Sequence, residues 1–210
     1  MRPGAARPPR AWQRMLSGRR LDILDPSPLD IELDDIAHGI ARVARWNGQT
    51  AGADVFSVAQ HSCLVEAIGF ELEPGLDDRA RLTLLLHDAP EYVVGDVITP
   101  IKAALGQAFV DIEMRLLAAI HLAFGLPAEA PAWLARVVKR ADRIAAWLEA
   151  TRLAGFSGAE AASTFGRPEL VPVSVEAWLD PLSAEAAERA FRSRVTGCLA
   201  AKHAGHRASV

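Results

Sequence analysis

A chain of 210 residues, half of them apolar and 23% charged, carries enough material for one ordinary globular domain with tails. Lys and Arg number 23 against 26 Asp and Glu, a net charge of -3, so there is no general positive coat to neutralise a nucleic-acid backbone, while small anionic ligands stay admissible. Two cysteines, Cys63 and Cys198, make neither a disulfide framework nor a Cys-based metal cluster and point to a reducing cytoplasm; no run of about 18 apolar residues is present to span a membrane.

The first ten residues are basic but lead into Trp12-Gln13-Arg14 rather than the apolar stretch of a signal peptide. Pro3, Pro8, Pro9, Pro26 and Pro28 remove backbone donors before any hydrophobic period develops, which predicts a flexible arm over 1–30 and a single folded unit over 31–210. From Ile31 the chain reads as helix after helix, and the expected class is all-α. Ser57 is a fitting N-cap for a helix over 57–72 whose apolar stripe, Val58, Val65, Ile68 and Leu72, also contains His61. A second helix begins at Asp77-Asp78, with Ala80, Leu84 and His87 on one stripe, and Pro90 ends or kinks it. Thr99-Pro100 opens a helix expected to run to Gly125, and another covers about 130–155. Pro168, Pro172 and Pro181 mark a loop-rich connection to a terminal amphipathic helix over 183–203.

The chemically unusual residues are polar groups on faces that should be buried. His61 by itself reads more readily as a hydrogen-bonded core histidine than as a ligand. His87-Asp88 follows Leu84-Leu85-Leu86 directly, so two ionisable groups enter the protein at the end of an apolar run, where an unpaired carboxylate is costly and a divalent cation would stabilise both. Asp142 repeats the pattern on a later helix, with an ion pair to Lys139 or Arg143 as its bland alternative. Two imidazoles and two carboxylates form a hard-to-borderline donor set suited to Mn, Co, Fe, Mg or Zn, with positions left for water and an anionic oxygen.

The order H…HD…D resembles the HD-domain metal-dependent phosphohydrolases. The string Ser57-Val-Ala-Gln-His-Ser, the string from Leu85-Leu-His-Asp-Ala-Pro-Glu through Gly95-Asp96 to Lys102, and the preceding Arg45-Trp46 together look like the 5'-deoxynucleotidase branch. The resemblance covers roughly 45–142 and implies an HD-domain helical bundle. It makes His61, His87, Asp88 and Asp142 the ligands of one divalent metal ion per subunit, Glu91 the residue that orients or deprotonates the attacking water, and Asp96 a catalytic or sugar-selecting carboxylate. Arg45 and Lys102 would contact phosphate and Trp46 would offer an apolar surface to the nucleoside. The implied activity is cleavage of the 5'-phosphate of (deoxy)nucleoside monophosphates by a cytoplasmic homodimer, with the C-terminal helix a candidate interface. Neither a nucleic-acid polymer nor a membrane is expected as a partner. Three alternatives stay open: a deoxynucleoside triphosphate triphosphohydrolase of the same superfamily, a non-catalytic nucleotide-binding module, and an HD oxygenase, which would need further His ligands.

Overall fold

A computed structural model describes residues 11–207 of the chain. It is mainly helical, in agreement with the all-α expectation: α1 (Leu33–Ile40), α2 (Val58–Leu72), α3 (Asp78–Leu85), α4 (Glu91–Val94), α5 (Thr99–Leu105), α6 (Gln107–Ala123), α7 (Ala132–Arg152), α8 (Gly158–Phe165) and α9 (Ala184–Arg207) are joined by loops and short 3-10 turns. Local chemistry sets several starts. Ser57 caps α2 by accepting from the Gln60 amide, Asp77 caps α3 by accepting from the Ala80 amide, and Ser157 with Glu160 forms a reciprocal capping box on α8. Among the described residues no helix is long and apolar enough to cross a membrane.

Two expectations are corrected. The span 11–30 is not a loose arm: β1 (Trp12–Arg14) and β2 (Arg20–Asp22) pair antiparallel around a turn at Gly18, whose φ is +89°. Met15 and Leu21 from this hairpin are buried in the core, and the Ser17 amide and hydroxyl both donate to Asp35, at 2.8 and 2.5 Å. Two apolar anchors and a buried carboxylate outweigh the prolines nearby; residues 1–10 lie outside the described residues. The single helix over 99–125 is instead two, because Gly106 adopts φ +77°, closes α5 through its amide to the Lys102 carbonyl and then opens α6.

Helix α2 is the centre of the architecture. Val58, Ala59 and Cys63 pack into an apolar cluster with α1, α3, α6 and α9, while Leu64, Val65 and Ile68 pack into a second cluster with α7 and the 3-10 turn Val173–Leu179. A helix buried on nearly all sides has little amphipathic contrast, and each large aliphatic side chain it buries contributes about 1.5–3 kcal/mol. Close approach of its neighbours requires small residues: a Cβ at Gly39 on α1 would lie 2.7 Å from the Tyr92 Cβ of α4, and one at Gly69 on α2 would meet Leu84 at 2.7 Å. Glu66, also on α2 and buried, accepts from Arg81 of α3 at 2.7 Å and pairs with Arg194 of α9, tying three helices together. The Gln60 side chain clamps the same helix to the chain after α8, donating to the carbonyls of Trp178 (2.7 Å) and Asp180 (2.5 Å) and accepting from the Leu182 amide (2.9 Å).

Candidate metal centre

Three elements, α2 among them, meet at one point. His61 stands one turn into α2 with no exposed surface; α3 ends at Leu85, and the turn over 86–90 carries His87 and Asp88; Asp142 projects from the middle of α7. One donor atom from each of the four residues lies within 4.8 Å of the other three. The ring nitrogen His61 Nε2 is 3.3 Å from Asp88 Oδ2 and 3.3 Å from Asp142 Oδ1, and His87 Nε2 is 3.2 Å from Asp88 Oδ2. Neighbouring ligands about 2.0–2.1 Å from a shared ion stand roughly 2.8–3.0 Å apart in octahedral and roughly 3.3–3.4 Å apart in tetrahedral geometry, so these three spacings fall in the range of a common cation.

The tautomers fit as well. The backbone oxygen of Leu84 lies 2.8 Å from His87 Nδ1, and an oxygen of Glu149 lies 2.5 Å from His61 Nδ1. Both oxygens only accept, so both Nδ1 atoms carry hydrogen and donate, which leaves each Nε2 to offer a lone pair. Both Nε2 atoms are buried and without a hydrogen-bond partner. Buried acceptors aimed at two carboxylates are costly unless a cation completes the group. A group of this kind can hold a metal ion.

The electrostatics point the same way. Burial and Arg45 both push the His61 pKa down, yet Glu149, Asp142 and Asp88 outweigh them and hold it well above its ordinary value. Burial alone would raise the pKa of Asp88 and Asp142, but the two imidazoles outweigh it for Asp88, and His61 leads the same reversal for Asp142. All three groups favour positive charge at the point where the donors converge, and proton and metal compete for it.

Glu149 is the residue that sequence reasoning missed. It has no exposed surface, and besides His61 it accepts from Trp46 Nε1 at 2.8 Å and Arg45 Nε at 3.3 Å. Arg45 and His61 hold its pKa low against the opposing effect of burial. The signal was present: Glu149 follows Asp142 by seven residues, two turns of the same helix, and interrupts the run Trp147-Leu148-Glu149-Ala150 with an acid.

The other expected residues gather on one side of the cluster. Arg45 Nη1 lies 3.7 Å from Asp88 and 3.6 Å from Asp96, so this guanidinium faces three carboxylates, which together raise its pKa against burial. Trp46 sits in the 3-10 turn Arg45–Gly48 with φ +57°, followed by Asn47 at +51°, a left-handed pair that a non-glycine chain adopts at a cost. Its ring is edge-on to Phe156 (5.6 Å) and Phe165 (5.7 Å), so the indole is locked by packing on its ring and a hydrogen bond at its nitrogen. Glu91 opens α4 almost wholly buried, with Oε2 unpartnered and Oε1 3.9 Å from Lys102 Nζ. Burial first, then Asp88 and Asp96, raise its pKa to about 9 against the opposing charges of Arg45 and Lys102. Lys102 pairs more closely with Glu113 of α6, at 2.8 Å.

No family model matches the chain. An uncharacterized protein of Rhodobacter capsulatus is 61% identical to it over 164 residues, covering 78% of this chain and 84% of that protein. With so much of both chains aligned at that identity, this chain belongs to the family of the Rhodobacter capsulatus protein.

Proposed function

We propose that the protein is a metal-dependent phosphohydrolase of the HD type that cleaves the 5'-phosphate ester of a nucleoside monophosphate, with deoxyribose preferred, to give nucleoside and phosphate. The observation that carries the reading is the convergence of His61, His87, Asp88 and Asp142 with both Nε2 atoms unpartnered, next to a buried carboxyl that is itself unpartnered. His61, His87, Asp88 and Asp142 would hold one divalent cation, which when bound supplies Lewis-acid polarisation of phosphoryl oxygens and acidifies water.

The chain's own residues do the rest. Glu91 Oε2 accepts the proton of the attacking water; burial, Asp88 and Asp96 raise its carboxyl to about 9 in the metal-free protein, so the acid form prevails there at neutral pH, and a cation held by the neighbouring ligands would favour the carboxylate that general-base catalysis needs. The bond from water oxygen to phosphorus forms as the phosphorus–5'-oxygen bond breaks, and the proton taken by Glu91 returns to the departing 5'-oxygen. Arg45 exchanges its long contacts with Asp88 and Asp96 for phosphoryl oxygens, and Lys102 adds a second positive charge at the same side. Asp96, beside Arg45, would accept from a sugar hydroxyl and so favour deoxyribose.

The test is a panel of ribo- and deoxynucleoside mono-, di- and triphosphates incubated with the protein and Mn or Co, with products resolved by chromatography. Deoxynucleoside monophosphates are expected to yield nucleoside and phosphate fastest. Release of inorganic triphosphate with monophosphates inert would reassign the substrate, and absence of turnover across the panel would refute hydrolysis.

A further inference from the structure

The metal centre uses one face of α7; the adjoining exposed face carries a different kind of feature. Arg136, Lys139, Arg140 and Arg143 recur at spacings of three and four, forming one stripe of four positive charges along two turns of α7. Together with Arg167, from the segment after α8, they line a cavity of about 370 Å³ whose acidic lining is Glu169 alone. All five cations are exposed. Like charges so spaced repel one another: the side chains of Arg136, Lys139, Arg140 and Arg167 form no ion pair or hydrogen bond with a described residue, and Arg143 spends its guanidinium on the Phe165 carbonyl at 3.3 Å. Elsewhere on the surface Arg19, Arg42, Arg152 and Arg192 are each paired with a carboxylate. In a chain of net charge -3, five cations around one concavity are a local concentration, not a reflection of composition.

The cavity wall is built rather than incidental. Gly166 at φ +78°, a backbone conformation that favours glycine, turns the chain after α8, and Arg143 Nη2 reaches within 3.2 Å of where a Cβ would stand. Phe165, which forms part of this wall, is the ring that packs against Trp46. Lys139 lines both this cavity and the neighbouring one that contains His87 and Asp142.

We infer that this basic cleft binds a polyphosphate chain, the triphosphate of a nucleotide. The cleft volume is that of a small-ligand site, and an array of guanidinium forks matches phosphate oxygens bidentately. The triphosphate reaches the cleft either on an effector nucleotide that is not cleaved or as the tail of a substrate whose reacting end lies at the metal centre. Binding in the cleft does not depend on the reading of the metal centre; the distinction between the two sources rests on it.

The experiment is isothermal titration of the full-length protein with inorganic tripolyphosphate. Saturable one-to-one binding is expected, weakened about tenfold or more in R140E/R167E and by added salt, and retained in H87A. Arg140→Gln, which removes a charge without reversing it, is expected to weaken binding in the same direction and serves if the double variant fails to fold. No saturable binding, unchanged binding in the arginine variants, loss in H87A alone, or preference for a duplex oligonucleotide over tripolyphosphate would each overturn the proposal. A nucleoside triphosphate then distinguishes the two sources: recovered intact with an altered rate of monophosphate hydrolysis it is an effector, and tripolyphosphate released into solution marks it as substrate.

Discussion

Replacing Glu149 with alanine removes a buried carboxylate that three donors share. His61 Nδ1–H, Trp46 Nε1–H and Arg45 Nε–H lie 2.5, 2.8 and 3.3 Å from its oxygens. His61 is completely buried and cannot turn to water, Arg45 keeps its contacts to Asp88 and Asp96, and the Trp46 nitrogen stays fixed by the packing of its ring. Each orphaned buried donor costs about 1–3 kcal/mol, and with Arg45 partly compensated the loss is expected at about 3–5 kcal/mol, the range for removing one partner of a buried charged group. Metal affinity should also fall about 10- to 100-fold, because His61 loses the acceptor that fixes its tautomer. Urea unfolding of metal-free protein measures the first effect and Mn titration the second. Glu149→Gln is the control, since it keeps the volume but one of its two terminal atoms becomes a donor that meets donors. The sign of the pH dependence follows from the depressed Glu149 pKa: its contribution is complete above the ordinary carboxylate value of about 4.3 and disappears as pH falls through the lower folded value, so the variant should lose less stability than wild type on acidification. A Glu149→Ala protein within about 1 kcal/mol of wild type and with unchanged Mn affinity would refute this account of the network.

Asp142→Ala is expected to abolish stoichiometric metal binding in elemental analysis of the folded protein; full retention would remove Asp142 from the donor set. Glu91→Gln should keep the metal and lose about two to four orders of magnitude in turnover of the best nucleotide, and near-normal turnover would exclude a role in proton transfer. The same variant should stabilise the metal-free protein at pH 8 but hardly at pH 4, because a carboxyl whose folded pKa is raised to about 9 loses stability progressively as pH rises from its unfolded value to its folded one. Glu66→Leu should destabilise by about 1–3 kcal/mol, less than a fully buried pair, since Arg81 and Arg194 are partly exposed and can rehydrate. A Gly39→Ala protein should be destabilised by about 1–3 kcal/mol through the forced separation of α1 from α4, read as a drop in the urea midpoint.

The all-α class, the cap at Ser57 and the helix start at Asp77 were legible in the sequence because each rests on short-range signals, and ionisable groups set within apolar runs marked His61, His87, Asp88 and Asp142 as candidates, their grouping being what the order H…HD…D implied by resemblance. What depends on contacts between distant segments was not. Residues 11–30 looked like an arm because proline content reports local propensity, whereas Met15, Leu21 and the Ser17–Asp35 hydrogen bonds are tertiary. The break at Gly106 was local in origin but hidden, since a glycine within an apolar helical pattern ends the helix only when its backbone takes a positive φ. Glu149 and Arg45 lie more than a hundred positions apart and Gln60 reaches Asp180 across a similar gap, so no spacing rule joins them. Residue type and period decide which helices form and which side chains can ligate. The packing of α7 against α2 decides which acid supports His61, and the return of the chain at Gly166 decides which cations of α7 share a cleft with Arg167.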